Sequence, residues 1–325
     1  MATIKDVASR AGVSVATVSR MMNKPDVVKP QTAKKIQKAM RELDYQPDVL
    51  ARALQSRHSG IIGLIVPRIS YGFFSRIADA VEDALSRKNY RLMICHSEYE
   101  EQREMNMVSL LKANKVDGIL VCSYVGDPKK YNELDLPIVS IDREMERIPS
   151  VTCDNTAGGI LAAQTLQECG CRHPLIVSFP VPSFMPLQGR NVGFRQQYGQ
   201  AGGDCGQIEI DQLHQDGAKK LADYLAAHPE TDGFFFNSDH SAATLTRALR
   251  SLGRNSLDTL PVISFDGLEI SELMDITTIA QPIEDMGRCA VDILLNKIEG
   301  RAVPVRSTLE VTCIKRGSTE KRRAH

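Results

Sequence analysis

Apolar positions in the first 45 residues recur at three- and four-residue spacing, whereas from Ile61 onward they gather into short continuous runs. This change of period predicts a small helical part followed by a larger α/β part. In residues 3–23, TIKDVASRAGVSVATVSRMMN, the positions Ile4, Val7, Ala8 and Ala11 share one helical face. Thr3 with Asp6 makes a variant of the capping box at its start, and Gly12 stops the helix. Ser14 caps a second helix in which Val18 points inward with Met21 or Met22, leaving Val15, Ala16, Ser19 and Arg20 outside. Two short helices at a sharp turn are a helix-turn-helix. A third helix follows over residues 30–45, with Ala33, Ile36, Met40 and Leu43 on its apolar side. Pro47 ends it, and Asp48 can cap a short further helix, VLARALQS, before the linker Arg57-His58-Ser59-Gly60.

The later runs IIGLIV, RLMICH, DGILVC, IVSI, LIVSF, GFFFN and VISF are apolar throughout, as strands buried on both faces of a parallel sheet are. Segments such as residues 74–87 and 101–114 are long enough to be crossover helices. No phosphate-binding glycine motif follows any of these strands, so no nucleotide cofactor is expected.

Charge sharpens the picture of the helical part. The chain of 325 residues is formally neutral, yet residues 1–58 hold eleven Lys plus Arg against five Asp plus Glu, leaving +6 there and −6 in the remainder. A basic module on an acidic body is the footprint of a DNA reader. The major groove admits a helix, and the small side chains of Val15 and Ala16 suit close approach to base edges. Thr3, Ser14, Thr17 and Ser19 carry hydroxyls suited to phosphate oxygens, Arg20 can fork onto guanine, and Asn23 closes the same helix. Lys34, Lys35 and Lys38 are secondary phosphate candidates.

Other chemistry is poorly supported. The eight cysteines are scattered, and Cys169-Gly170-Cys171 has no matching Cys or His pair, so no metal site is expected. There is no secretory segment or membrane-length apolar run, which places the protein in the cytoplasm, on the nucleoid if it reads DNA. No Gly-x-Ser-x-Gly or His-Glu-x-x-His motif appears, and the seven histidines are dispersed, so the chain is not expected to be an enzyme.

Through TIKDVASRAGVSVATVSRMMN, the following YQPDVLARAL and several later segments, the sequence resembles the LacI/GalR family of bacterial transcription regulators over nearly its whole length. The resemblance implies a helix-turn-helix domain at residues 1–46, a hinge helix and linker at 47–60, and a two-lobed effector-binding and dimerisation domain at 61–325, like a periplasmic sugar-binding protein. It implies that the chain crosses between lobes near Asp154, Gln281 and Glu310, and that Leu54 wedges between base steps of the minor groove, which costs unstacking energy but bends the DNA onto more protein. It also matches Arg190, in GRNVGF, to the arginine that grips effector oxygens. No leucine heptad follows LEVTCIKRGST, so a homodimer rather than a tetramer is expected, with a charged tail over residues 320–325.

Ligands of open α/β sheets sit beyond the carboxyl ends of strands. Candidates there are Phe73 in YGFF, Asp142, Ser238, Asp239 and Asp266, together with Arg190. A forked arginine with carboxylates pairs with vicinal hydroxyls, and an aromatic face covers the apolar side of a sugar ring, so the expected effector is a sugar or sugar phosphate. Phe184 is a further aromatic candidate. Two departures from the family pattern concern effector identity: Ser238-Asp239 stands where Asn-Asp is common, and EIDQLHQDG lacks a stacking aromatic residue. The general texture is most similar to sucrose and ribose repressors. The expected function is repression of a sugar-utilisation operon, relieved by the bound sugar; the alternative is a family regulator controlled by a protein partner or a corepressor.

Overall fold

In the computed structural model, which describes residues 2–23, 27–45, 58–123, 125, 128–180, 182, 184–210, 217–251 and 259–320, Thr3 opens the first helix with reciprocal bonds. Its backbone N–H donates to Asp6 Oδ2 at 2.7 Å while its hydroxyl accepts from the Asp6 N–H at 3.4 Å. Helix α1 (Ile4–Ala11) then runs to Gly12, whose φ of 65° lets its N–H turn back onto the Ala8 and Ser9 carbonyls. Helix α2 (Val15–Asn23) starts at Ser14, whose hydroxyl accepts from the Thr17 N–H at 3.2 Å. Helix α3 (Pro30–Glu42) has its proline in the first turn, where a missing N–H costs nothing. Val7, Val18, Met21, Ile36 and Ala39 close a small core among the three. Of the two methionines expected to face inward, Met21 is the buried one.

The chain divides into two compact units, Met1–Ser59 and Gly60–His325. Residues 47–57 of the expected hinge, Leu54 among them, lie outside the described residues, as do 211–216 and 321–325.

The second unit has two sheets, each with six strands among the described residues. The first half of the chain alternates β1 (Ile61–Val66), α4 (Gly72–Ser86), β2 (Arg91–His96), α5 (Glu101–Ala113), β3 (Gly118–Val121), α6 (Pro128–Asn132), β4 (Ile138–Ile141) and β5 (Ser150–Cys153). The chain then enters a second lobe with α7 (Asn155–Glu168), β6 (Pro174–Ser178), α8 (Gln188–Gln200), β7 (Gly206–Glu209), α9 (Gly217–Ala227), β8 (Gly233–Phe236), α10 (Asp239–Ser251), β9 (Val262–Asp266), α11 (Glu269–Leu273) and β10 (Thr277–Ala280). It returns to the first lobe as α12 (Ile283–Ile298) and β11 (Arg306–Leu309), and ends in the second as β12 (Thr312–Ile314) and α13 (Gly317–Glu320). The crossings therefore fall at residues 154, 281–282 and 310–311.

The sheet orders are β11-β5-β4-β3-β1-β2 and β12-β10-β9-β8-β6-β7. All the pairings are parallel except β10 with β12, which is antiparallel. Strands β1, β3, β4, β6, β8 and β9 are the apolar runs of the sequence, almost wholly buried between helices. The strands at which the chain crosses lie together at one edge of each sheet, β11 with β5 and β12 with β10, and β2 and β7 form the opposite edges.

The second lobe also depends on one unusually close helix pair. A methyl group at Gly159 of α7 would stand 2.0 Å from the Arg190 carbonyl oxygen of α8, and one at Gly193 of α8 would stand 2.1 Å from that of Thr156. Glycine at both positions lets the two backbones touch, and this fixes where α8 presents Arg190.

Candidate functional site

The first unit presents a helix suited to a groove. Val15 is 40% exposed, and Ser14, Ala16 and Arg20 are exposed beside it, while Val18 is fully buried beneath. The Ser14 and Thr17 hydroxyls lie 2.8 Å apart and so hold each other at the helix start. Thr3 is exposed, Ser19 half-exposed, and Asn23 is the last residue of α2. On the opposite side Arg10 is bound by Glu42 at 2.7 Å, and Glu42 also lies 3.8 Å from Lys38, leaving Lys34 and Lys35 as the more open lysines of α3.

The second unit carries its polar side chains where the strands end, facing the cleft. Arg190 enters from the first turn of α8 and is only 2% exposed. It donates from Nε to Asn155 Oδ1 at 2.8 Å, and from Nη1 to the Asn237 carbonyl at 2.6 Å and to Asp266 Oδ1 at 3.1 Å. Its guanidinium carbon lies 3.7 Å from the centre of the Phe265 ring. Gln281, at the second crossing, donates from Nε2 to the same Asp266 oxygen at 2.8 Å. Burial pushes the Asp266 carboxyl up to about 7, against the opposing pull of Arg190.

Two further oxygens at this centre, Asn237 Oδ1 and Gln281 Oε1, are buried and have no hydrogen-bond partner among the described residues. Such a group costs about 1–3 kcal/mol, so a pair of them beside a forked arginine indicates a place for hydroxyl donors. Two positive-φ residues stand at this centre: Asp142, at the end of β4, has φ 59°, and Asp266 has φ 119°. Asx residues tolerate the left-handed value of Asp142, whereas that of Asp266 is strained for any side chain, as positions at ligand clamps often are.

The first lobe supplies Asp142, 1% exposed, and its neighbour Arg143, equally buried. Arg143 donates to the Val125 carbonyl at 2.5 Å. Behind it, the buried Glu104 accepts from the Ser123 and Tyr131 hydroxyls, each at 2.5 Å. Burial raises the Glu104 carboxyl, while those bonds and Arg143 draw it back down.

Three expected effector contacts are turned inward. Phe73 is 4% exposed and packs in the lobe core, edge-on to Phe74 at 5.4 Å, because the helical turn that begins at Gly72 aims both rings at the sheet. Asp239 accepts from the Ser264 hydroxyl, from Thr278 Oγ1 at 2.7 Å and from the Leu268 N–H at 2.6 Å, so its oxygens tie β9, β10 and the start of α11 together. Ser238 shares its hydroxyl with Ser241 at 2.8 Å and accepts the Ser241 N–H, acting as the cap of α10. Asp154 likewise caps α7 through the Ala157 N–H at 2.8 Å.

Asn155, Asn237, Gln281 and Arg143 were legible only as polar residues at strand ends or crossings. What marks the first three is convergence: separate parts of the chain bring them to Arg190 and Asp266. Tyr71, just before the helix, is only partly buried against the core, whereas Phe73 lies inside it. The signal was the helix start at Gly72.

Family models match both parts of the chain. Residues 3–48 match the bacterial regulatory proteins of the lacI family, and residues 59–317 match the periplasmic binding proteins and sugar binding domain of the LacI family. A ribose operon repressor from Halalkalibacterium halodurans is 36% identical over 92% of this chain and 91% of its own. A sucrose operon repressor from Streptococcus mutans is 34% identical over 94% of this chain and 95% of its own. Among solved structures, a periplasmic binding protein/LacI transcriptional regulator from Alkaliphilus metalliredigens complexed with D-xylulofuranose is 28% identical, with a TM-score of 0.72 over 80% of this chain and 99% of its own.

Proposed function

Since the chain belongs to the LacI family of bacterial regulatory proteins, we propose that it represses a sugar-utilisation operon and leaves its operator when a small sugar or sugar phosphate binds between the lobes. The observation that carries the effector half is the Arg190 centre: a forked cation bound to Asn155, Asn237 and Asp266, with two buried oxygens beside it that await donors. A sugar hydroxyl is both donor and acceptor, so a pair of them can donate one bond to each oxygen while accepting from the guanidinium. A regulator of similar sequence holds a pentulose, which supports the same assignment.

In this reading Arg190, Asp266, Asn237 and Gln281 form the second-lobe half of the site and Asp142 with Arg143 the first-lobe half. Asp239 and Ser238 hold the frame, and Phe73 backs the cleft from within the core. On the DNA side, Val15 and Ala16 approach base edges, Arg20 reads guanine, and Thr3, Ser14, Thr17, Ser19 and Asn23 position the helix on the backbone. Leu54 wedges the minor groove. Two copies placed on a near-palindrome set the half-site spacing, and the protein works on the nucleoid in the cytoplasm.

Operator and sugar are linked through the hinge. A ligand that favours one lobe arrangement weakens DNA binding by the same factor by which DNA weakens the ligand. Fluorescence anisotropy of a labelled fragment from the region upstream of its own gene, at fixed salt, tests this directly. The expected result is specific binding that one sugar loosens, with Arg190→Ala retaining the DNA complex and ignoring the sugar. Specific binding that no small molecule alters would assign the switch to a protein partner instead.

A further inference from the structure

Tyr71 and His240 belong to different lobes, yet their ring centres are 4.7 Å apart at 44°. Tyr71 stands on the loop between β1 and α4, while His240 lies on the first turn of α10, just after β8. The Arg143 guanidinium of the first lobe similarly lies 5.6 Å from the centre of the Phe184 ring of the second, and Phe184 is otherwise 61% exposed. The cleft thus carries two aromatic contacts that join its walls.

Their place in the sheets gives them a direction. The chain crosses between lobes at the β5 and β10 end of the sheets, and β2 and β7 form the other end. Asp266 and Gln281 follow β9 and β10, near the crossings. Tyr71 and Phe184 follow β1 and β6, each one strand in from the edge opposite the crossings. His240 is exposed and Tyr71 half-buried, whereas Arg190 and Asp266 are buried, so this pair stands on the solvent side of the Arg190 centre. Ring centres within about 4.5–7 Å are in contact, so the space between Tyr71 and His240 holds no third ring. Gly72 is equally close to the other lobe, since a methyl group there would lie 3.1 Å from Leu268.

We propose that the Tyr71–His240 pair, helped by Phe184 over Arg143, limits the effector to a single sugar ring, so that this regulator responds to a monosaccharide and excludes disaccharides. The inference rests on the cleft being the effector site. A disaccharide gripped through one ring by Arg190 and Asp266 projects its second ring toward the mouth, where it must part the pair. A monosaccharide lies wholly behind it, with the pair closing over the C–H face of its ring. The choice matters because the relatives include both ribose and sucrose operon repressors, and family membership alone does not decide between the two sizes.

The test is calorimetric titration of the full-length protein with D-ribose, D-xylulose and D-fructose, and with sucrose and cellobiose. The wild type is expected to bind at least one monosaccharide, and either disaccharide at least tenfold more weakly. His240→Ala changes an exposed side chain and is expected to narrow that ratio at least threefold, chiefly by improved disaccharide binding. Tyr71→Ala should do the same, while Tyr71→Phe, which keeps the ring, should behave as the wild type. A disaccharide bound as tightly as any monosaccharide overturns the proposal, as does a ratio that His240→Ala and Tyr71→Ala leave unchanged. If no sugar of either size binds, the cleft reading itself fails and takes this inference with it. If monosaccharides bind in an Arg190-dependent way but size selection is absent, only the rim inference fails.

Discussion

Arg190 Nη1 and Asp266 Oδ1 lie 3.1 Å apart in a place where neither side chain exceeds 8% exposure. An ion pair so deeply buried is poor evidence of stability in itself, because desolvation offsets much of its attraction, but removing one partner strands the other. Arg190→Ala is therefore expected to lower folding stability by about 3–5 kcal/mol as well as abolish the sugar response. Denaturant unfolding measures the first effect, and sugar titration of the operator complex the second. Arg190→Lys keeps the charge without the fork, and should retain most of the stability while weakening sugar binding at least tenfold.

The Asp266 carboxyl, raised to about 7, also predicts a pH dependence. A folded-state value above the unfolded one means that the group stabilises the fold most below the ordinary carboxylate range, near 4. That contribution is lost as pH rises through about 7. Sugar binding should move the other way, since the ionised carboxylate is the better acceptor of hydroxyls. Affinity is expected to rise about tenfold from pH 6 to pH 8, with proton release on binding, and Asp266→Asn should flatten the profile. Titrations in buffers of different ionisation enthalpy report the proton; a profile that is flat in the wild type would remove Asp266 from the contact set.

Asp239 separates frame from contact. Its carboxylate accepts from Ser264, Thr278 and the Leu268 N–H, all within the second lobe. Asp239→Ala should cost about 2–4 kcal/mol in denaturant unfolding by leaving these donors unpaired. Sugar affinity of the protein that still folds is expected to change less than threefold. A large loss of affinity at unchanged stability would return Asp239 to the contact set.

Gly159 tests whether helix spacing positions the arginine. An added methyl would face the Arg190 carbonyl at 2.0 Å and could be relieved only by moving a backbone. Gly159→Ala is expected to destabilise by about 1–3 kcal/mol through overpacking and to weaken sugar binding with it, although the residue is one helix away from the cleft. Thermal melting and sugar titration of one preparation check both.

In the DNA unit, Ser14→Ala removes the hydroxyl that accepts from Thr17 at 3.2 Å and should cost about 1 kcal/mol of stability. Arg20→Ala should cost about 1–3 kcal/mol of specific affinity and relax the preference at one base pair. Lys34→Ala should instead weaken all sequences alike and lower the salt slope by about one. Anisotropy titrations on operator and scrambled duplexes at several salt concentrations distinguish the two kinds of residue.

The sequence by itself determined the helix starts and stops at Thr3, Gly12 and Ser14, because capping is settled by residues three or four apart. It determined most of the apolar strands as well, since a strand buried on both faces must be apolar, although β2 is an edge strand with a single buried residue. Strands β5, β7, β10 and β11 are not among the apolar runs because they are short, and SVTC, GQIE, TTIA and RSTL mix polar with apolar residues. The LEVTCIKRGST segment spans a lobe crossing: Leu309 ends β11 beside β5, and Thr312–Ile314 forms β12 beside β10. Only the tertiary structure decided which polar strand-end residues share a site. Asp239 and Asp266 look alike in sequence, each at the end of a strand, but one is saturated by its own lobe and the other meets Arg190 and Gln281. Partners brought together from 15, 35, 47 and 76 positions apart leave no local pattern, since it is the packing of helices on sheets, not the spacing along the chain, that makes them neighbours.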